Sequence, residues 1–201
     1  MGNTASQANA RGLREILTGL NRIEQHRAAA AWAVANNRTI DMFGNFSRER
    51  HLAVFQSGNE CENWLDPIDN VLYKMNTLTH VGEDLVKLFD RIDIYNTLFP
   101  LLAMKFVGLQ VMSETRVFPV FTQPFISDAH MATREEITIY MESLGYKALE
   151  EDGKFSNGKL VLWDIKPKNV LVTPNGQIAV IDAEITKLPA ASEASPVKFD
   201  I

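Results

Sequence analysis

The stretch LVLWDIKPKNVLV, residues 160–172, sets two apolar segments around a polar turn that holds Asp164, Lys166, Lys168 and Asn169. Thirteen residues beyond Asn169, Asp182 ends the apolar run QIAVI. These types at this spacing suit one chemistry. A carboxylate orients a hydroxyl and accepts its proton, and a carboxamide with a second carboxylate offers the oxygen ligands that a hard divalent cation takes. An ammonium offsets charge on a transferred group. The set suits phosphoryl transfer, with Asp164 as base, Lys166 steadying the transferred group, and Asn169 and Asp182 on magnesium. The bland alternative is a pair of hairpins with solvated loop charges, which does not ask for this spacing to Asp182.

The elements that must position these groups follow from the apolar periods. From about Ser6 to Asn36, Leu13, Ile16, Leu17, Leu20 and Ile23 recur at three- and four-residue spacing, which predicts one amphipathic helix or two. DMFGNFSRER breaks the period, so a boundary is expected near residues 37–47. RHLAVFQ, CENWL and VLYKM read as antiparallel strands separated by the turns SGNE and DPIDN. GEDLVKLFDRIDIYNTLF returns to helical spacing, with Leu85, Leu88, Phe89, Ile92, Tyr95 and Phe99 on one face. MKFVGLQVMS and RVFPVFTQPFI then predict two more strands, giving a five-stranded sheet that carries one helix. Thr133 reads as the N-cap of a helix that Gly145 ends. Short strands follow, then a polar tail. The fold class is α+β.

DIKPKNVLV followed by VIDAEI resembles the catalytic loop and magnesium-binding segment of the protein-kinase superfamily. More narrowly, IYNTLF, TQPFI, EEITIYMESLGY and WDIKPKNVLVTPNGQIAVID are similar to the small kinase domain of polyvalent proteins in phages and conjugative elements, over roughly residues 50–185. The resemblance implies a minimal two-lobed kinase-like fold that uses ATP and magnesium. It divides the chain into an N-terminal helical extension over 1–45, an N-lobe over 46–123 and a truncated helical C-lobe over 124–201. It further implies that Lys74 of VLYK contacts the nucleotide phosphates and that the next helix supplies its acidic partner. Glu83 is taken for that partner, with Asp84, Asp90 and Asp93 as alternatives. Backbone groups around Gln123 to Phe125 are expected to hydrogen-bond adenine. QSGNE stands where a glycine-rich loop would, with Gly58 alone to admit phosphate.

Departures from the kinase pattern open a rival reading. Leu162-Trp163 replaces the usual His-Arg, Ala183-Glu184 replaces Phe-Gly, and Glu184 is a further candidate carboxylate. Only nineteen residues of this chain follow Asp182, so a minimal second lobe is expected. The first reading is an ATP- and magnesium-dependent phosphotransferase acting on an unidentified hydroxyl. The rival is a pseudokinase or nucleotide-binding interaction module.

Composition excludes other classes. Twenty Lys and Arg against 25 Asp and Glu leave no basic face for nucleic acid. One cysteine, Cys61, excludes an intrachain disulfide and fits a reducing, cytoplasmic setting. It reads as a small apolar residue. No apolar run approaches the roughly 18 residues of a membrane span, and the first 30 residues lack the apolar core of a signal peptide. MGNTAS matches an acylation pattern at Gly2, which a polar terminus produces by chance. His26, His51, His80 and His130 lack ligand spacing and are expected at the surface or as caps, and Trp32, Trp64 and Trp163 in the core.

Overall fold

Leu13 and Leu17, both fully buried, explain why the N-terminal period matters. It produces two helices, α1 (Thr4–Leu17) and α2 (Arg22–Ala35), in the computed structural model, which describes residues 4–55, 58 and 61–189. Asn21 opens α2 with a reciprocal cap, its side chain accepting from the Glu24 N–H while the Glu24 carboxylate accepts from the Asn21 N–H. Gly2 and the tail from residue 190 onward lie outside the described residues. Two compact units divide between Ile126 and Ser127.

In the first unit β1 (Ala53–Val54), β2 (Cys61–Asp66), β3 (Val71–Asn76), β4 (Lys105–Ser113) and β5 (Arg116–Pro124) form an antiparallel sheet in the order β1-β2-β3-β5-β4. The break expected near residues 37–47 ends in a short helix, α3 (Asn45–Glu49). The remaining helix, α4 (Leu85–Leu98), buries Leu85, Leu88, Phe89, Ile92 and Tyr95, the face its period predicted. Side chains alternate between the faces of a strand, and the two faces serve different cores. Val117 and Phe121 join Leu13, Leu17, Ala29, Ala33 and the buried face of α4 in one core. Trp64, Tyr73, Met75 and Val120 pack on the other face against Ile40 and Met42.

Polar groups fix the helices to this sheet. His26, only 5 % exposed, accepts the Val117 N–H on Nδ1 at 3.1 Å, and its Nε2 lies 3.1 Å from the Glu83 carbonyl. The bond to Nδ1 places the proton on Nε2, so both nitrogens of a neutral ring are used. This corrects the expectation of a surface or capping role, because a lone histidine gives no periodic sign of burial. Gln25 accepts the Leu85 N–H at 2.9 Å, and Arg14 pairs with Asp90 and Asp93 of α4. Along the outer edge of β4, the Arg38 carbonyl receives the Leu109 N–H at 2.8 Å, and a Cβ on Gly108 would lie 2.3 Å from that oxygen.

The second unit holds one α-helix among the described residues, α5 (Arg134–Ser143), with the reciprocal cap between Thr133 and Glu136 and a stop at Gly145 (φ 82). Around it β6 (His130–Met131), β10 (Val170–Val172) and β11 (Ile178–Val180) form one antiparallel sheet. A second contains β7 (Lys147–Ala148), β8 (Phe155–Ser156), β9 (Leu160–Trp163) and β12 (Glu184–Lys187). The expectation of a helical second unit is thereby corrected. Its longest apolar runs are three or four residues, enough for short strands and too short for helices. No helix of the described residues is long and apolar enough to cross a membrane.

Removing a fully buried contact of α1 should weaken the first unit. Leu17→Ala is expected to cost about 2–5 kcal/mol, whereas Ile16→Ala, on the exposed side of the same helix, stays within about 0.5 kcal/mol. Gly108→Ala should also destabilise, because its methyl meets backbone that cannot swing away. Urea denaturation of the full chain followed by tryptophan fluorescence measures all three.

Candidate active site

Two antiparallel ladders frame the polar turn. Trp163 at the end of β9 lies opposite Glu184 at the start of β12, and Val170 at the start of β10 lies opposite Val180 at the end of β11. The six residues Asp164–Asn169 therefore face the three residues 181–183 across a closed frame. Its apolar anchors are Leu162, Ile165, Val170, Val180 and Ala183, all buried. Inside the turn, Pro167 opens a single 3-10 turn over Pro167–Asn169, where its missing N–H costs nothing. The Asn169 N–H donates to Lys166 O at 2.8 Å, and the Ile181 N–H donates to Asn169 O at 2.9 Å. That last bond sets Asp182 one residue from the position directly opposite Asn169.

Asp164 has φ 57, in the left-handed region that Asp tolerates better than most residues. Three side chains hold it there. Asn169 Nδ2 donates at 2.8 Å to both the Asp164 carbonyl and its Oδ2. Lys168 Nζ lies 2.8 Å from Oδ2, and Lys166 Nζ lies 3.5 Å from Oδ1. Partial burial pushes the Asp164 carboxyl up, but the hydrogen bonds from Lys168 and Asn169 and the charges of Lys168 and Lys166 outweigh it and hold the group below its ordinary value. The same pair raises Lys168, which also feels Asp182. Behind the turn, the Ile165 N–H donates to Gly153 O at 3.0 Å, and Lys166 packs so closely over Gly153 that a Cβ there would lie 2.6 Å from Lys166 Cγ. Lys154 Nζ sits 3.5 Å from the centroid of the half-buried Trp163 ring.

Among the described residues no group of three or more His, Cys, Asp or Glu could hold a metal ion, so a cation here would take its protein ligands from Asn169 and Asp182. Both Asn169 bonds to Asp164 use the amide nitrogen, which leaves Oδ1 as an acceptor. Neither that oxygen nor the exposed Asp182 carboxylate accepts a hydrogen bond among the described residues. A carboxamide oxygen and a carboxylate with their lone pairs open are ligands that magnesium takes alongside water and phosphate. Glu184, half-buried at the start of β12, stands two residues further on.

In the first unit, β3 lies between β2 and β5, so Lys74 is not on an edge strand. Its cross-strand partners are Asn63 and Phe121, which puts the half-buried Lys74 on the face of the sheet that carries α4. Glu83 is not on that helix. It precedes the N-cap Asp84, has φ 63 and an exposed side chain, and its carbonyl faces His26. The element assigned to Glu83 is corrected accordingly, since the helix starts only where Asp84 accepts the Lys87 N–H. Gly58 lies in the connection between β1 and β2, its N–H donating to Cys61 O at 3.0 Å; the rest of QSGNE lies outside the described residues. Gln123 is buried and donates to Tyr95 Oη at 2.8 Å and Leu102 O at 3.0 Å. The Phe125 N–H donates to Asn70 O at 3.1 Å, while Phe125 O accepts from Asn70 Nδ2. In this arrangement the Phe125 N–H is committed to the Asn70 carbonyl.

Lys168 is the functional candidate that spacing alone left without a role. Its four-residue separation from Asp164 was visible, but only the 3-10 turn brings the two side chains together. Carbon-13 NMR of the full chain should show the Asp164 carboxyl titrating below the ordinary value of about 3.9. Lys168→Gln should move that midpoint upward. A depressed carboxyl contributes stability present above the unfolded value and lost as pH falls through the folded one. The small stability gap that this largely exposed pair gives between wild type and Lys168→Gln should therefore close on acidification below about pH 4.

A model for the serine/threonine/tyrosine kinase found in polyvalent proteins matches residues 23–188, starting within α2 and ending just after β12. No curated protein and no solved structure matches the chain. Because the match covers both units and the whole framed turn, the chain belongs to the family of serine/threonine/tyrosine kinases found in polyvalent proteins.

Proposed function

We propose that the protein is an ATP- and magnesium-dependent phosphotransferase with a minimal two-lobed kinase-like architecture, acting in the cytoplasm on a hydroxyl acceptor. The observation that carries this reading is the turn itself. It holds Asp164 as a carboxylate between two ammonium groups, with the unused oxygens of Asn169 and Asp182 beside it.

Asp164 accepts the hydrogen bond of the incoming hydroxyl and orients its oxygen. That oxygen forms a bond to the γ-phosphorus as the bond from phosphorus to the β,γ-bridging oxygen breaks. ADP leaves with that electron pair, and the hydroxyl proton passes to Asp164. Lys166 steadies the transferred group by charge. Asn169 and Asp182 would hold magnesium, which supplies charge neutralisation on the nucleotide phosphates when bound. Lys74 is assigned to those phosphates from its place on β3, and Gly58 to the loop beside them.

A second reading, a pseudokinase that works by binding a partner, is favoured by one observation: the Phe125 N–H, a candidate adenine donor, is already bonded to Asn70. Calorimetry with ATP and magnesium, paired with transfer of radiolabelled phosphate to the chain or to added peptides, separates the two. The phosphotransferase reading expects Asp164→Ala to lose about 10²–10⁴-fold in turnover while nucleotide still binds. It expects Asp182→Ala to abolish the magnesium dependence of binding. Failure of wild type to bind millimolar ATP leaves the pseudokinase reading without its nucleotide as well.

A further inference from the structure

Lys168 is placed where the fold does not require it. Its side chain is 63 % exposed, and an ion pair so open to water adds little to stability. The turn is closed without it by Pro167, by the Asn169 amide and by the ladder bond from Ile181. Yet its ammonium lies 2.8 Å from Asp164 Oδ2, while Lys166 stands 3.5 Å from Oδ1 and Asn169 Nδ2 also donates to Oδ2. Each oxygen of the base thus has a donor against it, and the most exposed of those donors is Lys168. Asp182 is the other acid within its field.

We infer that Lys168 selects the acceptor, and that the acceptor is an acidic peptide whose hydroxyl-bearing residue is flanked by carboxylates. This rests on the phosphotransferase reading of the site. A hydroxyl reaching Asp164 arrives beside the Lys168 ammonium. A cationic neighbour on the acceptor is repelled there, and an anionic neighbour is attracted. A flanking carboxylate also offers Lys168 a new partner, which draws the ammonium away from Oδ2 and opens that oxygen to the hydroxyl. Lys166 does not serve this purpose, because its stem is pinned against Gly153.

The test uses the full chain with magnesium-ATP and synthetic peptides carrying one serine, threonine or tyrosine flanked by Glu, Gln or Lys. Binding is read by fluorescence anisotropy and transfer by radiolabel, for wild type, Lys168→Arg and Lys168→Glu, with thermal melts as the folding control. Wild type and Lys168→Arg should favour the Glu-flanked peptides over the Lys-flanked ones by about tenfold or more, and Lys168→Glu should invert the order. A merely structural lysine would lower all peptides alike. Transfer without a charge preference, or a preference that survives Lys168→Glu, overturns the inference and leaves the phosphotransferase standing. Binding of acidic peptides that inverts with Lys168→Glu but yields no transfer supports the charge selection and removes the phosphotransferase. Failure of acidic peptides to bind at all overturns it as well.

Discussion

One carboxamide closes the turn on which the second unit depends. Asn169 Nδ2 bonds both the carbonyl and the carboxylate of Asp164, so it ties backbone and side chain of the same residue. The carbonyl bond holds Asp164 in its left-handed conformation. The carboxylate bond holds the side chain over the turn. Because both donors come from the nitrogen, the oxygen of the same amide is left as an acceptor. A single side chain thus fixes both the backbone and the carboxylate of Asp164. An aspartate at 169 would put a second negative charge against the first, and a leucine would leave the Asp164 carbonyl without its partner.

The frame around that turn explains why such short strands suffice. Strands of three or four residues are weak alone, but β9 with β12 and β10 with β11 are halves of the same two chain segments, paired before and after the turn. Slipping either ladder by one residue would carry Val170 or Leu162 from the core to water. The apolar anchors therefore fix the register, and the register fixes the distance between Asn169 and Asp182.

Much of this was legible in the residues. The strand and helix order of the first unit follows from period-2 and period-3.6 patterns, and Leu85, Leu88, Phe89, Ile92 and Tyr95 are buried where the spacing put them. The candidate site stands out in the sequence because it is local: Asp164, Lys166, Asn169 and Asp182 lie on two segments whose flanking strands pair. What escaped was nonlocal or geometric. His26 is 91 residues from Val117, and nothing in its neighbourhood signals a ring bridging two backbone groups. Glu83 differs from a helical residue only in where α4 begins, which the N-cap choice of Asp84 decides. Lys168 looked like one of several loop charges until the 3-10 turn folded it onto Asp164.

The first unit shows the same economy at a larger scale. α1 and α2 supply Leu13, Leu17, Ala29 and Ala33 to the core that α4 shares with β5, while Gln25 and His26 hold the two backbone ends where α4 starts. Asp84 is spent on capping, and Asp90 and Asp93 on Arg14. These acids therefore fix α4 in place. The family match starts inside α2, so α1 lies ahead of the matched region. A helix that carries Leu13 and Leu17 into the core and pairs with α4 through Arg14 couples its own presence to the position of α4, and so to the face of the sheet on which Lys74 lies.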